Sequence, residues 1–198
     1  MGTPLYAIRL RTSAVSQSEP CQPLEVTDEG RLDPAVDRAI RRLLCQCFPA
    51  DAEHYSIERA WHSTPAFSVV SRDGEQVVGH AGVVVRTIRC GETAATVAGL
   101  QNFCVAPQWR RSGLARRVMA AAMDEAARRG IRFGLLFCVP ALERYYGSQG
   151  WSKLDCPVTM LDEHGQPAPL PAKNIAMQIA LAGVPLPPGP IHLHGRDW

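Results

Sequence analysis

Nothing in the 198-residue sequence approaches the roughly 20 consecutive apolar residues of a membrane-spanning helix, and the opening MGTPLYAIRLRTSAV holds no apolar run of signal-peptide length. A soluble, cytoplasmic protein without a membrane partner is therefore expected. An excess of one charge is missing too. Lys and Arg number 21 against 19 Asp and Glu, a net +2 that gives no footprint for nucleic acid as a partner and leaves charge to be read locally. No Cys-x-x-Cys pair occurs among the cysteines at 21, 45, 47, 90, 104, 138 and 156, and no His lies near them at zinc-finger spacing, so no metal is expected. The cysteines read as reduced and mostly buried, Cys104 and Cys138 as small apolar strand residues, and a cysteine nucleophile is not expected. Internal repeats are absent, and the length suits one domain over 1–198.

What the sequence does hold is a clear succession of elements. A short strand is expected at about 5–11, then a polar loop with two prolines over 13–30. Asp33-Pro34 opens a helix as N-cap and first helical residue. Val36, Ala39, Ile40, Leu43, Leu44 and Cys47 then recur at three- and four-residue steps until Phe48 and Pro49. A second helix is predicted from about Glu53 to Trp61. Asp73-Gly74 and Cys90-Gly91-Glu92 are hairpin signals joining three antiparallel strands. Ser112 to Gly130 is predicted helical, with Leu114, Val118, Ala121, Ala122 and Ala126 on one face. IRFGLLFCV reads as a strand buried on both faces, PALERYYGSQG as a short helix, WSKLDCPVTML and AKNIAMQIAL as two last strands, and 183–198 as a Pro-rich tail. This order implies an α+β domain, a mixed central sheet of about seven strands with flanking helices.

Between the strand ending at Val105 and the helix lies PQWRRSG, a short turn rich in arginine. Such a turn aims several free backbone N–H groups at one spot. The helix N-terminus adds partial positive charge, Ser112 can cap or donate, and Gly113 lets a ligand approach the backbone, which together suit a diphosphate. An ordinary capped helix with solvated arginines fits the same spacing.

A second run decides between them. Arg110-x-x-Gly113-x-Ala115, preceded by Val105-x-Pro107, resembles the Arg/Gln-x-x-Gly-x-Gly/Ala loop of the GCN5-related N-acetyltransferases (GNAT). One strand later Tyr145-Tyr146-Gly147-Ser148-Gln149-Gly150-Trp151 resembles that family's Phe-Tyr-x-x-x-Gly-Phe. The resemblance implies the GNAT fold and acetyl-CoA as cofactor. It implies that Arg110, Arg111, Ser112, Gly113, Leu114, Ala115 and Arg116 hold the pyrophosphate. The thioester would lie between splayed fourth and fifth strands, the pantetheine arm pairing with Phe103, Cys104 and Val105. A backbone N–H near Cys104 or Val105 would polarise the carbonyl. Tyr146 would be the general acid, a phenol still protonated at neutral pH, with Tyr145 facing the core. Many members are dimers, which leaves a homodimer open here.

From about residue 45 onward the chain also resembles the aminoglycoside 2'-N-acetyltransferases, through FPAD at 48–51, Trp61, Gly79-His80-Ala81, YGSQGW and the last residue Trp198. In those enzymes the terminal carboxylate helps bind the cationic substrate, which gives Trp198 a catalytic and substrate-binding role by resemblance. Where they carry Glu-Gly before the cofactor loop, this chain has Gln101-Asn102. The lost carboxylate suits a smaller amino sugar, of which kasugamycin is an example. Asp51, Glu53, Gln101, Asn102, Asp155 and Trp198 are the expected substrate-binding residues. The general base stays open between a histidine, a carboxylate acting through water, and the terminal carboxylate. His80 reads as structural, and His192 and His194 alternate toward one side. Other acceptors remain open, such as another small amine or a peptide, as do a nodulation-type acyltransferase and a non-catalytic acyl-CoA-binding module.

Overall fold

Residues 24–28, expected in a loop, instead form the first strand of the computed structural model, which describes residues 23–198. The strand expected at 5–11 lies outside the described residues. β1 (Leu24–Asp28) pairs antiparallel with β2 (Phe67–Asp73). α1 (Pro34–Cys47) starts as predicted, the Asp33 carboxylate accepting the Ala35 N–H at 2.6 Å. It buries Ala39, Ile40, Leu43 and Leu44, each large aliphatic contributing about 1.5–3 kcal/mol by leaving water. α2 (Ala52–Ile57) stops short of the predicted Trp61. Arg59 leaves the helix there to bury its guanidinium, pairing with Asp37 at 3.1 Å and with the Glu29 carboxylate.

β2, β3 (Gln76–Cys90) and β4 (Thr93–Val105) form the predicted antiparallel meander. α3 (Leu114–Arg128) carries the chain to β5 (Phe133–Cys138), which runs parallel to β4 and is buried on both faces. α4 (Glu143–Gly147) follows. The strand predicted over WSKLDCPVTML is broken at Asp155-Cys156-Pro157, and its halves join opposite edges of the sheet. β6 (Ser152–Lys153) pairs with β9 (Ile175–Ala180), whereas β7 (Val158–Leu161) pairs with β8 (Pro167–Pro169) and β10 (Ile191–His192). The mixed sheet runs β6-β9-β5-β4-β3-β10-β7-β8, with β2 and β1 extending from β3.

Side chains alternate between the sheet's two faces, so each face needs its own cover. α1 and α3 cover one, around Ile40, Leu44, Ala98, Leu114, Val118 and Leu136. Residues 183–198 cover the other with Leu186, Ile191, Leu193 and Trp198, against Ile88, Val97 and Leu135. What reads as a tail covers one face of the sheet. No helix among the described residues is long and apolar enough to cross a membrane.

Candidate active site

β4 carries one residue too many for its partner. His80 faces Cys104 and Gly82 faces Gln101, so Asn102 and Phe103 together oppose Ala81 in a β-bulge. Asn102 takes φ 50°, left-handed backbone that asparagine tolerates better than most residues and where glycine is at home. Three neighbours hold it. The Tyr55 hydroxyl donates to its Oδ1 at 2.8 Å, its Nδ2 donates to the Arg59 carbonyl at 2.7 Å, and its carbonyl accepts from His80 Nδ1 at 2.9 Å. Asn102 thus uses one donor and one acceptor of its amide to hold the bulge. His80 is fully buried, and desolvation drops its pKa to about 3, so it is a neutral structural donor. Burial, with Asp51 nearby, raises the Tyr55 phenol to about 12.

Beyond the bulge the sheet opens. β4 and β5 are paired only from Val97↔Phe133 to Gly99↔Leu135, so the stretch of β4 from Leu100 to Val105 has no ladder to β5. A cavity of about 370 Å³ lies beside this free edge, lined by Phe103, Cys104, Val105, Arg110, Arg111, Ala115, Tyr145 and Tyr146, together with Cys47, Phe48 and Leu142. The structure thus brings together residues from all three expected cofactor elements. Cys47 and Leu142 carry no motif, and Phe48 was read only as part of the FPAD run, so all three were missed as lining residues; only their place at helix ends hinted at them. Burial pushes the Tyr146 phenol well above its ordinary value, with Cys138 and Tyr145 adding to the shift, so it stays protonated. The expected orientation of the pair is reversed. Tyr146 is 8% exposed and packs among Phe103 and Trp151, whereas Tyr145 is 36% exposed.

The arginine turn has the backbone of an anion cradle. Arg111 (φ 65°) and Gly113 (φ 81°) are both left-handed, and nothing lies within 4 Å of where a Cβ on Gly113 would project. Gly113 caps α3, and the Ser112 hydroxyl donates to the Trp109 carbonyl at 2.7 Å and accepts from the Leu114 N–H at 3.3 Å. The first N–H groups of a helix lack intrahelical partners, which leaves those after Gly113 facing the turn. Two expected side chains lie elsewhere. Leu114 is buried in the core, and Arg116 lines a separate cavity with Gln149 and Trp151.

At the base of the opening sits the end of the chain. The Trp198 ring packs on Gly99, where a Cβ would meet its Cε2 at 2.3 Å, and lies 5.0 Å from the Phe137 ring and 5.2 Å from Arg86. Arg86 donates to the Arg196 carbonyl at 2.6 Å and to Ser63 Oγ at 2.7 Å, and Ser63 Oγ donates to the Asp197 carbonyl at 3.2 Å. Gln101 Nε2 donates to the Ser63 carbonyl at 2.7 Å, while Gln101 Oε1 and Trp198 Nε1 are buried with no partner among the described residues. His62 lies 4.0 Å from Asp197, its pKa lowered by burial and by Arg196. Glu53 and Asp155 are exposed on α2 and between β6 and β7, outside this group of contacts. His192 and His194 stack on each other beside Arg89, three residues along β3 from Arg86 and roughly 25 Å of strand from the bulge.

A family model for the acetyltransferase (GNAT) domain matches residues 35–154. The aminoglycoside 2'-N-acetyltransferase of Mycolicibacterium fortuitum is 28% identical over 134 residues, 68% of this chain and 67% of that protein. The GNAT family N-acetyltransferase YhbS of Escherichia coli, solved in complex with CoA, superposes with a TM-score of 0.61 at 19% identity, covering 89% of this chain and 93% of that one. An acyl-CoA N-acyltransferase from Pseudomonas aeruginosa superposes with a TM-score of 0.58 at 12% identity, over 81% and 100%. At such identities the two solved structures establish a shared fold.

Proposed function

The chain belongs to the acetyltransferase (GNAT) family and is an N-acetyltransferase dependent on acetyl-CoA, and on that premise we propose that its acceptor is the 2'-amine of a compact aminoglycoside, with kasugamycin as the leading example. The observation that supports this acceptor is the path of residues 196–198. They return to the base of the β4–β5 opening, where Asp197, His62 and two buried atoms without a partner among the described residues, the acceptor Gln101 Oε1 and the donor Trp198 Nε1, would serve the ammonium and hydroxyl groups of an amino sugar. The 28% identical aminoglycoside acetyltransferase supports the same class. Acetylation removes the amine's charge, which would confer resistance to the drug. Six described cysteines are free, which fits the reducing cytoplasm.

The residues fit the cofactor by an observation independent of motif. Gly113 leaves open space at the head of α3, flanked by Arg110 and Arg111, as a diphosphate needs. Arg110, Arg111, Ser112, Gly113 and Ala115 would hold it there, and Phe103, Cys104 and Val105 would pair with the pantetheine arm. Acetyl-CoA supplies the acyl group as a thioester. A backbone N–H of the free β4 edge stabilises charge that develops on the carbonyl oxygen. His62, kept neutral by burial and Arg196, takes a proton from the amine, and Tyr146 holds one at its hydroxyl for the departing sulfur. The test mixes purified protein, acetyl-CoA and a panel of amino sugars that includes kasugamycin with a thiol reagent. CoA release with a compact aminoglycoside is expected; none above background with any member overturns the acceptor assignment.

A further inference from the structure

Cys47 closes α1 and Cys104 lies on β4 just past the bulge, and both line the cavity beside the free β4 edge. Both side chains face the same cavity, and the Cys47 thiol donates at 3.5 Å to the carbonyl of Val105, the next residue along β4 from Cys104. Cys47 is half-buried, reachable by a small solute through the cavity, whereas Cys104 is 8% exposed and sits behind it. Their environments pull them apart. The neighbouring Cys104 thiol, with the Arg110 guanidinium, favours a Cys47 thiolate and brings its pKa to about 7, while Cys104 is pushed up by its nearness to Cys47 and by burial. Cys90, Cys138 and Cys156 are all pushed up by burial. An accessible, acidic thiol against a second, protonated one is the arrangement of a reactive cysteine with its resolving partner.

We propose that Cys47 and Cys104 form a peroxide-responsive modification site, in which a disulfide between them blocks the cavity. The first step converts the Cys47 thiolate and hydrogen peroxide to a sulfenic acid and hydroxide. The second forms the Cys47–Cys104 S–S bond, the Cys104 proton and the sulfenic hydroxyl leaving as water. In sum a thiolate and a thiol are oxidised to the disulfide, one peroxide is reduced, and one water and one hydroxide result. The bond ties the end of α1 to the β4 edge and takes Cys47 away from Arg110. The consequence for cofactor binding rests on the reading of this cavity as the acyl-CoA site.

The full chain is treated with hydrogen peroxide, digested without reductant and analysed by mass spectrometry, and CoA binding is measured before and after. A peptide pair joined through Cys47 and Cys104, reversed by dithiothreitol and slowed by prior addition of CoA, is expected, with CoA affinity falling about tenfold or more on oxidation. Cys47→Ser and Cys104→Ser should each lose the cross-link, and each should bind CoA equally well before and after peroxide. A protein that binds CoA yet leaves both thiols free overturns the inference, as does a Cys47→Ser variant that loses affinity on oxidation to the same extent. If the cross-link forms and untreated protein fails to bind CoA, the modification stands and the cofactor reading of the cavity falls.

Discussion

The proposed cofactor half of the cleft is built mainly from the β4 edge and the turn after it, residues 103 to 115, closed by α4 and the end of α1, whereas the proposed acceptor half joins Ser63 to Asp197 across 134 residues of chain. The first is local, so its geometry follows from a bulge, two left-handed residues and a helix start. The second exists only when the last residues fold back over the sheet. Changes in the first should therefore move cofactor affinity at nearly constant stability. Changes in the second should move stability and acceptor recognition together.

The sharpest way to test this division is Gly113→Asp. An added Cβ has nothing within 4 Å, and aspartate tolerates the left-handed backbone at a cost of about 1 kcal/mol, so the variant should fold. A negative charge at the head of α3 should lower CoA affinity by about 100-fold. Calorimetric titration beside thermal melts reads both; unchanged affinity would break the local half entirely. Tyr146→Phe comes next. It keeps the ring packing against Phe103 and Trp151 and should slow acetyl transfer about 100-fold while CoA binds within about twofold. Equal turnover in the two proteins removes Tyr146 from the chemistry.

The same division explains what the sequence could show. Gly113 and the arginine turn were legible because their geometry is set within a few residues. Gln101-Asn102 was legible as a missing carboxylate, but not as a bulge, because the need for positive φ arises only when β4 pairs with β3. Tyr145 and Tyr146 are neighbours on a five-residue helix, too short for periodicity to say which faces inward. β8 and β10 span three and two residues, below any alternation signal, and the proline-rich surroundings of β10 read as a tail. Cys47 looked like one more apolar position on α1. Its acidity comes from Cys104 and Arg110, 57 and 63 positions away in the chain.

His80 probes the bulge that the two halves share. In the unfolded chain it titrates near 6.5; in the folded protein its pKa is about 3. Between those values the unfolded chain holds a proton that the folded protein refuses. The stability due to neutral His80 is thus full above pH 6.5 and drains as pH falls toward 3, on the order of 1.4 kcal/mol per unit. His62 is lowered as well, so His62→Gln serves as the control. Melting temperature should drop from pH 6.5 to 4.5 in the parent and in His62→Gln, and the drop should be shallower in His80→Asn. Parallel curves for the parent and His80→Asn would mean that the bulge is held by Tyr55 and Arg59 alone.

The smallest expected effect separates the halves most cleanly. Gly99→Ala places a methyl carbon 2.3 Å from Trp198 Cε2, with two further indole atoms at 2.6 and 2.8 Å, so the terminal ring must shift. Overpacking of this kind costs about 1–3 kcal/mol, and the displaced ring disturbs the contacts around Arg86, Ser63 and Asp197. The β4 edge past the bulge and the Gly113 turn do not touch this methyl, so CoA affinity should stay within about twofold of the parent. KM for the amino sugar should rise about threefold to tenfold, with kcat for bound acceptor little changed. Steady-state kinetics with each substrate varied in turn reads this split. A rise confined to the CoA side would show that Trp198 supports the cofactor rather than the acceptor, and would merge the two halves into one.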